Sequence, residues 1–177
     1  MAVSQPVATL TANLPEGTWH VDPKASELTF SARGTWGLVG VHGTFGDYEG
    51  ELEVAGGDAR GELRIQAATL DTKNEKRDVH LRSADFFDVT AYPIVTFSLI
   101  ELAPSADGTL ELGGTLRIGD NELRVQAPVQ ASRPAADRLR LDTKVSVDRR
   151  AAGVGWSKMG MVQGKAHLGA SIVLVQM

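Results

Sequence analysis

The sequence contains no cysteine, which excludes disulfide bonds, thiol catalysis, iron–sulfur clusters and cysteine-based zinc sites. Basic residues are also in the minority, because 18 Lys and Arg stand against 22 Asp and Glu. The net charge of −4 argues against a nucleic-acid-binding protein, which needs a basic surface. No stretch approaches the roughly 20 apolar residues that a membrane helix requires.

The four histidines do not show the spacing of a metal site. His20, His42, His80 and His167 form no HxH, HxxxH or HExxH pattern. The glycine-containing segments 153–158 and 160–165 likewise fall short of nucleotide-binding motifs. We therefore expect no metal ion and no cofactor apart from a bound ligand.

The chain of 177 residues fits a single domain. Residues 1–16 are rich in small side chains and threonine, which predicts a flexible arm, and residues 17–177 then form one barrel domain. Residues 1–15 hold no Lys or Arg and no apolar core of the kind found in a secretory signal. From this we expect a cytoplasmic protein.

Apolar and polar residues alternate with a period of two along most of the chain, which is typical of strands with one wet face. Glycine- and aspartate-rich turns separate these runs and favour antiparallel hairpins. The count of eight or nine strands predicts an all-β fold, and eight is the number found in small barrels. The alternating runs lie at 26–34, 48–54, 61–67, 109–118, 121–131, 138–148 and 165–175.

One interval, 71–92, is long enough to contain a helix. Asp71 or Thr72 is the predicted cap of a short helix near residues 73–82, and Pro93 ends anything helical by residue 92. We expect this helix to pack across one end of the barrel.

The alanines on the apolar faces have two interpretations. Small inward side chains leave room for an apolar ligand, or they merely fit where a barrel narrows. The sequence favours neither, nor does it decide between a closed barrel and a sandwich. The alanines concerned are Ala32, Ala67, Ala127, Ala131, Ala166 and Ala170.

The segment around Asp78, His80 and Ser83 allows a catalytic interpretation, in which Asp78 orients His80 as a base and Ser83 is the nucleophile. The structural interpretation pairs Arg77 with Asp78 at the helix cap, and lets the apolar residues that follow plug the barrel end. We favour the second, because residues close in sequence are no evidence of a triad.

Two loops, 33–43 and 148–161, combine tryptophan with glycines, and the second adds methionines and basic residues. We interpret them as a gated mouth in which cations meet an anionic head group. Trp36 and Trp156 are the predicted apolar contacts. The predicted head-group or mouth residues are Arg77, His80, Arg149, Arg150 and Lys158.

Several ordered motifs together resemble the YceI-like family. They are Trp19-x-Val21-Asp22-Pro23, Gly43-Thr44-Phe45, the run from Arg77 to Val89, and Tyr92-Pro93-x-Val95-Thr96-Phe97. The resemblance runs from about Trp19 to the carboxyl end, and it departs from the family at Ala25, where a histidine often stands.

The resemblance implies a lipocalin-like antiparallel barrel around a hydrophobic channel that holds polyisoprenoid chains, with no established reaction. We therefore expect a non-enzymatic carrier of an isoprenoid lipid, either a quinone or a polyprenyl phosphate. The predicted apolar pocket also includes Phe30, Ala32, Phe45, Leu63, Ile65, Phe97, Leu116, Val125, Leu141 and Val145.

Two alternatives stay open at this point. One is an enzyme that acts on a hydrophobic substrate with His80 and Asp78 as acid and base. The other is a filled barrel that serves as a stress-response or interaction scaffold. Residues 94–102 carry apolar groups on both faces, which suggests cover on both sides and makes a homodimer plausible; transient membrane contact also fits a lipid carrier.

Overall fold

The computed structural model describes residues 16–33, 40–107, 109–149, 151–152 and 164–177. The predicted arm, apart from residue 16, lies outside the described residues, as do four predicted site residues. These four are Trp36, Arg150, Trp156 and Lys158.

The described residues form eleven β-strands, one α-helix and one 3₁₀ turn. In chain order these are β1 (Gly17–Val21), β2 (Glu27–Arg33), β3 (Gly40–Phe45), β4 (Tyr48–Ala55), β5 (Asp58–Gln66), the 3₁₀ turn (Ala67–Thr69), β6 (Leu70–Asp71), α1 (Glu75–Arg82), β7 (Ile94–Pro104), β8 (Leu110–Ile118), β9 (Asn121–Ala135), β10 (Arg138–Asp148) and β11 (Lys165–Gln176).

The strands close into an eight-stranded antiparallel barrel, as predicted. The ring runs β1-β4-β5-β7-β8-β9-β10-β11, and β11 pairs with β1 to complete it. Three strands of this ring are interrupted, because β2, β3 and β6 continue β1, β4 and β5 across breaks. The long β11 spans one such break: its residues 166–171 pair with β2 and its residues 174–176 pair with β1.

The alternation read from the sequence gives each strand one face towards the interior of the barrel. Tight turns join most neighbours. The β4–β5 hairpin turns at Gly56 and Gly57, which both have positive φ angles of 60° and 86°. Two such angles are what a type I′ hairpin turn requires, and only glycine adopts both without strain.

A bulge in β7 explains the two apolar faces of residues 94–102. The pairing with β8 shifts between Leu99 and Glu101, which turns Ile100 outward and brings Leu102 back to the inner face. Ile100 is 61% exposed, so the predicted cover on both sides is wrong at this residue.

The helix α1 occupies the predicted place, but the predicted cap is wrong. Asn74 is the N-cap, and its side-chain oxygen accepts a hydrogen bond from the backbone N–H of Arg77 at 3.1 Å. Asp71 instead lies in β6, and the carboxylate of Asp78 engages Thr72. Among the described residues, no helix has the length and hydrophobicity needed to cross a bilayer.

Tyr48 lies buried next to the break between β1 and β2. Its burial, helped by the negative charges of Glu27 and Asp22, raises the pKa of the Tyr48 phenol above its ordinary value. As pH rises past about 10, the unfolded chain therefore loses this proton before the folded protein does. Stability contributed by the neutral phenol is complete below that pH and is lost as pH rises through the folded pKa.

We expect the free energy of unfolding to fall more steeply above pH 10 in the wild type than in Tyr48→Phe, as measured by urea denaturation. The chain has only two tyrosines, so phenolate absorbance in Tyr92→Phe reports the titration of Tyr48 alone. Equal pH dependence in the wild type and Tyr48→Phe would contradict this expectation.

Candidate functional site

The barrel encloses a cavity of about 420 Å³ with a wall made mainly of Leu, Ile, Val, Phe and Ala side chains. All ten described residues of the predicted apolar pocket lie on this wall, and their part in binding a ligand stays a prediction. They are Phe30, Ala32, Phe45, Leu63, Ile65, Phe97, Leu116, Val125, Leu141 and Val145.

Much of the wall comes from residues that the sequence analysis did not single out. The alternation along β11 was visible in the sequence, but both faces of this strand are apolar near its carboxyl end, so the sequence did not show which face points inward. Leu81, Phe86 and Phe87, the apolar residues expected to plug the barrel end, also line the cavity. The other residues missed include Val21, Leu28, Val41, Leu99, Leu102, Leu112, Ile118, Val129, Val147, Leu168, Ile172 and Leu174.

Some of the inward alanines border the cavity, and others are packed within the core. Ala32, Ala166 and Ala170 line the cavity, and Ala166 stands directly opposite Ala32 in the β2–β11 ladder. Ala127 and Ala131 are buried within the core and do not border the cavity. Small side chains therefore make room on the β11 side of the barrel and fit tight packing on the β9 side.

Inward-facing glycines let two aromatic rings lie against the wall. A Cβ atom built on Gly114 would lie 2.6 Å from Cζ of Phe97, and one on Gly43 would lie 2.4 Å from Cζ of Phe30. Such distances are too short for any side chain. The two rings thus occupy space above glycine backbone and leave the centre of the barrel open.

The two ends of the barrel differ. The end that carries α1, here called the helix end, is where the β9–β10 ladder stops, its last pair being Thr143 opposite Val129. Beyond that pair, residues 144–148 of β10 are paired with β11, and residues 121–128 of β9 are paired with β8. The strands β9 and β10 therefore part towards the helix end.

The helix α1 fills the corresponding gap between β6 and β7. Arg82 at its last turn donates to the carbonyl oxygens of Ala68 at 2.9 Å and Leu70 at 2.7 Å. The ring of Phe87, which follows the helix, meets the ring of Phe45 edge-on at 6.0 Å between centroids. These contacts attach the helix to the strand edge that β7 leaves unpaired.

A buried network fixes the start of the helix. The carboxylate of Asp78 accepts hydrogen bonds from the backbone N–H of Thr72 at 3.0 Å and from its hydroxyl at 2.5 Å. Arg77 donates to the same residue, from Nε to the hydroxyl at 2.8 Å and from its terminal nitrogen to the carbonyl at 2.9 Å. The predicted pairing of Arg77 with Asp78 is therefore replaced by a shared attachment to Thr72.

The acid/base arrangement of the enzyme alternative is not assembled. Nε2 of His80 lies 3.0 Å from a carboxylate oxygen of Asp85, not Asp78, and the Ser83 hydroxyl donates to the backbone carbonyl of His80. Positions two apart on a helix face different directions, which explains why Asp78 does not orient His80. Within the described residues, no three His, Asp or Glu side chains gather closely enough to hold a metal ion.

Arg149, just after the end of β10, is a buried cation on the cavity wall. Arg149 is 7% exposed, and among the described residues its guanidinium donates a hydrogen bond, at 2.8 Å, to the carbonyl oxygen of Arg33. Burial lowers the pKa of its guanidinium, yet the group stays charged at neutral pH. Arg77 and His80 also line the cavity, so three of the predicted head-group residues border the same space.

An antiparallel barrel with an apolar interior and a few polar groups near one end defines a class of proteins built to enclose hydrophobic ligands. The chain belongs to the YceI-like family, since the model of the YceI-like domain matches residues 19–174.

Curated relatives include protein YceI of Shigella flexneri, 33% identical over 85 residues, and a UPF0312 protein of Ectopseudomonas mendocina, 31% identical over 85 residues. Each match covers 46% of this chain and 44% of the relative, so the chain spans less than half the length of these relatives.

Solved structures with the same fold include BcnA of Burkholderia cenocepacia. It has a TM-score of 0.76 and 21% identity, and the match covers 86% of this chain and 98% of that one. Another is described as a polyisoprenoid binding domain from Saccharophagus degradans, with a TM-score of 0.74 and 13% identity over 92% of this chain and all of that one. At these identities the likeness shows the fold.

Proposed function

We propose that this protein binds a single long isoprenoid lipid inside the barrel and carries it without chemical change. The observation that carries the proposal is the cavity of about 420 Å³, whose wall is almost wholly hydrocarbon. A wall of this kind provides contact area for an apolar chain and forms few hydrogen bonds with it. The family, and the description of the Saccharophagus degradans domain, support an isoprenoid as the ligand.

The free energy gained by burying an isoprenoid tail is large enough for tight binding. Each CH₂ group removed from water contributes about 0.8 kcal/mol, so a five-carbon isoprene unit contributes roughly 3–4 kcal/mol at most. Association entropy and ordering of the chain offset much of this gain. A tail of a few units still leaves a net gain in binding free energy, which the interior of a filled scaffold would not offer, so the cavity supports a carrier over the filled-barrel alternative.

Arg149 favours a phosphate over a quinone as the head group. Among the described residues, the carbonyl of Arg33 is the hydrogen-bond acceptor of this buried guanidinium, and no described carboxylate forms a salt bridge with it. A buried cation is stabilised by an anion that accepts several of its hydrogen bonds, and a phosphate does so with charge as well as geometry. A quinone oxygen accepts hydrogen bonds without the charge.

The direct test of the proposal is extraction and mass analysis of lipid from the purified protein, followed by reconstitution of the delipidated protein with isoprenoids. We expect one isoprenoid per protein in native mass spectra. A protein that is empty as purified and takes up no offered isoprenoid would overturn the proposal.

Replacing Arg149 by glutamine is expected to weaken binding of geranylgeranyl phosphate by about 10- to 100-fold. A hydrogen bond to a charged group contributes about 1.5–3 kcal/mol, and 1.4 kcal/mol corresponds to a factor of ten. Binding of geranylgeraniol, which has the same tail and no phosphate, should change by less than threefold. The affinities are measured by competition against a fluorescent apolar probe.

Arg149→Lys is the matched control, because it keeps the charge and loses the fork of donors; it should retain part of the preference for phosphate. If phosphate and alcohol lost affinity equally in Arg149→Gln, Arg149 would act only as part of the wall, and the assignment of a phosphate head group would be wrong.

A further inference from the structure

The cavity stops at one level on six of the eight barrel strands. On β1, β4, β5, β8, β9 and β10, one inward residue lines the cavity and the next inward residue towards the opposite end is buried in the core without bordering it. These second residues form a layer that we call the floor. The floor consists of Trp19, Val54, Ala59, Leu110, Ala131 and Leu139.

Trp19 is the largest side chain of the floor and is fully buried. It stands opposite Leu52 in the β1–β4 ladder, and Leu52 is the last residue of β4 to line the cavity. Two of the remaining floor residues, Ala59 and Ala131, are buried and have small side chains. The indole ring therefore fills the space beneath the cavity that its neighbours leave open.

We propose that Trp19 sets the length of the isoprenoid tail that the barrel accepts. The inference rests on the proposed function and adds to it a limit on the chain length. A tail that enters from the helix end gains affinity with each isoprene unit until it meets the floor. A unit beyond that point stays outside the apolar wall, or displaces the head group from Arg149, and adds no further affinity.

The test offers the delipidated protein an equimolar mixture of all-trans polyprenols with two to eight isoprene units and reads the bound lengths by native mass spectrometry. Because the head group is the same throughout, only the tail distinguishes the ligands. We expect the wild type to select a narrow range of lengths. In Trp19→Ala that range should move to longer tails by at least one unit, with the ratio of longer to shorter bound tails rising about tenfold or more.

A second variant tests the opposite direction and does not depend on whether Trp19→Ala folds. Val129→Phe adds bulk directly above the floor, since Val129 is the last residue of β9 to line the cavity. It should move the bound range to shorter tails. Its matched control is Val125→Phe, the same change on the same strand nearer the helix end, which should lower total occupancy without shifting the range.

The outcomes separate the two proposals. If the wild type binds polyprenols but Val129→Phe gives the same length distribution as the wild type and its control Val125→Phe, and folded Trp19→Ala does too, the floor does not limit the tail length and the inference is wrong. If the wild type binds neither a polyprenol of any length nor geranylgeranyl phosphate, the proposed function fails and the inference fails with it. Circular dichroism and thermal unfolding establish which variants are folded.

Discussion

The double substitution Ala166→Leu/Ala170→Leu is expected to stabilise the lipid-free protein by about 1–2 kcal/mol while weakening isoprenoid binding about 100-fold or more. Both alanines of β11 line the cavity, so two leucines would place apolar atoms in space that is now empty. Filling a cavity commonly adds 0.5–2 kcal/mol to stability. The same atoms displace part of the ligand, at about 0.8 kcal/mol for each CH₂ group returned to water.

The matched control is Ala127→Leu/Ala131→Leu on β9. These alanines also lie four residues apart on the inner face of one strand, but they are 4% and 6% exposed and border no cavity. Overpacking a filled region costs about 1–3 kcal/mol, so the control should be destabilised. Urea denaturation of the delipidated proteins measures the free energy of unfolding, which should rise in the β11 variant and fall in the β9 variant. A β11 variant that lost stability as the β9 variant does, or kept wild-type lipid affinity, would contradict the interpretation of the cavity as a ligand-binding site.

Replacing Asp78 by alanine is expected to lower the free energy of unfolding by about 3–5 kcal/mol. The carboxylate is buried and accepts hydrogen bonds from both the N–H and the hydroxyl of Thr72. Removing it leaves two buried donors without their acceptor, each at a cost of about 1.5–3 kcal/mol for a bond to a charged group. The guanidinium of Arg77, held by the same threonine, would also lose its nearby negative charge.

Asp85→Ala serves as the control, because Asp85 is an exposed carboxylate on the same segment whose pair with His80 contributes at most about 1 kcal/mol. Urea denaturation followed by circular dichroism gives the stabilities, and hydrogen exchange of residues 75–82 shows whether the helix detaches before the barrel unfolds. A loss below 1 kcal/mol in Asp78→Ala would mean that the strand edge and Arg82 hold the helix without this network.

The strands could be predicted from the sequence because strand geometry has a period of two and little else produces sustained alternation, whereas closure into a barrel was implied by the family resemblance. The helix could be placed because Pro93 and the length of the interval allowed one position. Its cap could not be predicted from local preference alone. Asp71, Thr72 and Asn74 are all good capping residues. Tertiary contacts decide between them, because Asp71 lies in β6 and the Thr72 hydroxyl donates a hydrogen bond to the carboxylate of Asp78.

The candidate site was less predictable than the fold. Most apolar faces showed which residues are inward, but an inward alanine such as Ala166 or Ala131 looks the same in sequence whether it borders a cavity or a neighbouring side chain. The difference depends on which strands are neighbours and on where the ladder between β9 and β10 ends. The bulge at Ile100 was hidden for a similar reason, because a single extra residue changes the face of everything after it.

The ladder between β9 and β10 ends at Thr143, and its end has a consequence for selectivity. Where strands are joined by hydrogen bonds, the diameter of a barrel is fixed by their number and stagger. Where β9 and β10 part, their ladder does not impose that restraint near the helix end. We therefore expect the barrel to limit the depth of a bound chain more strictly than its width, so that straight, branched and unsaturated chains of one length bind with similar affinity.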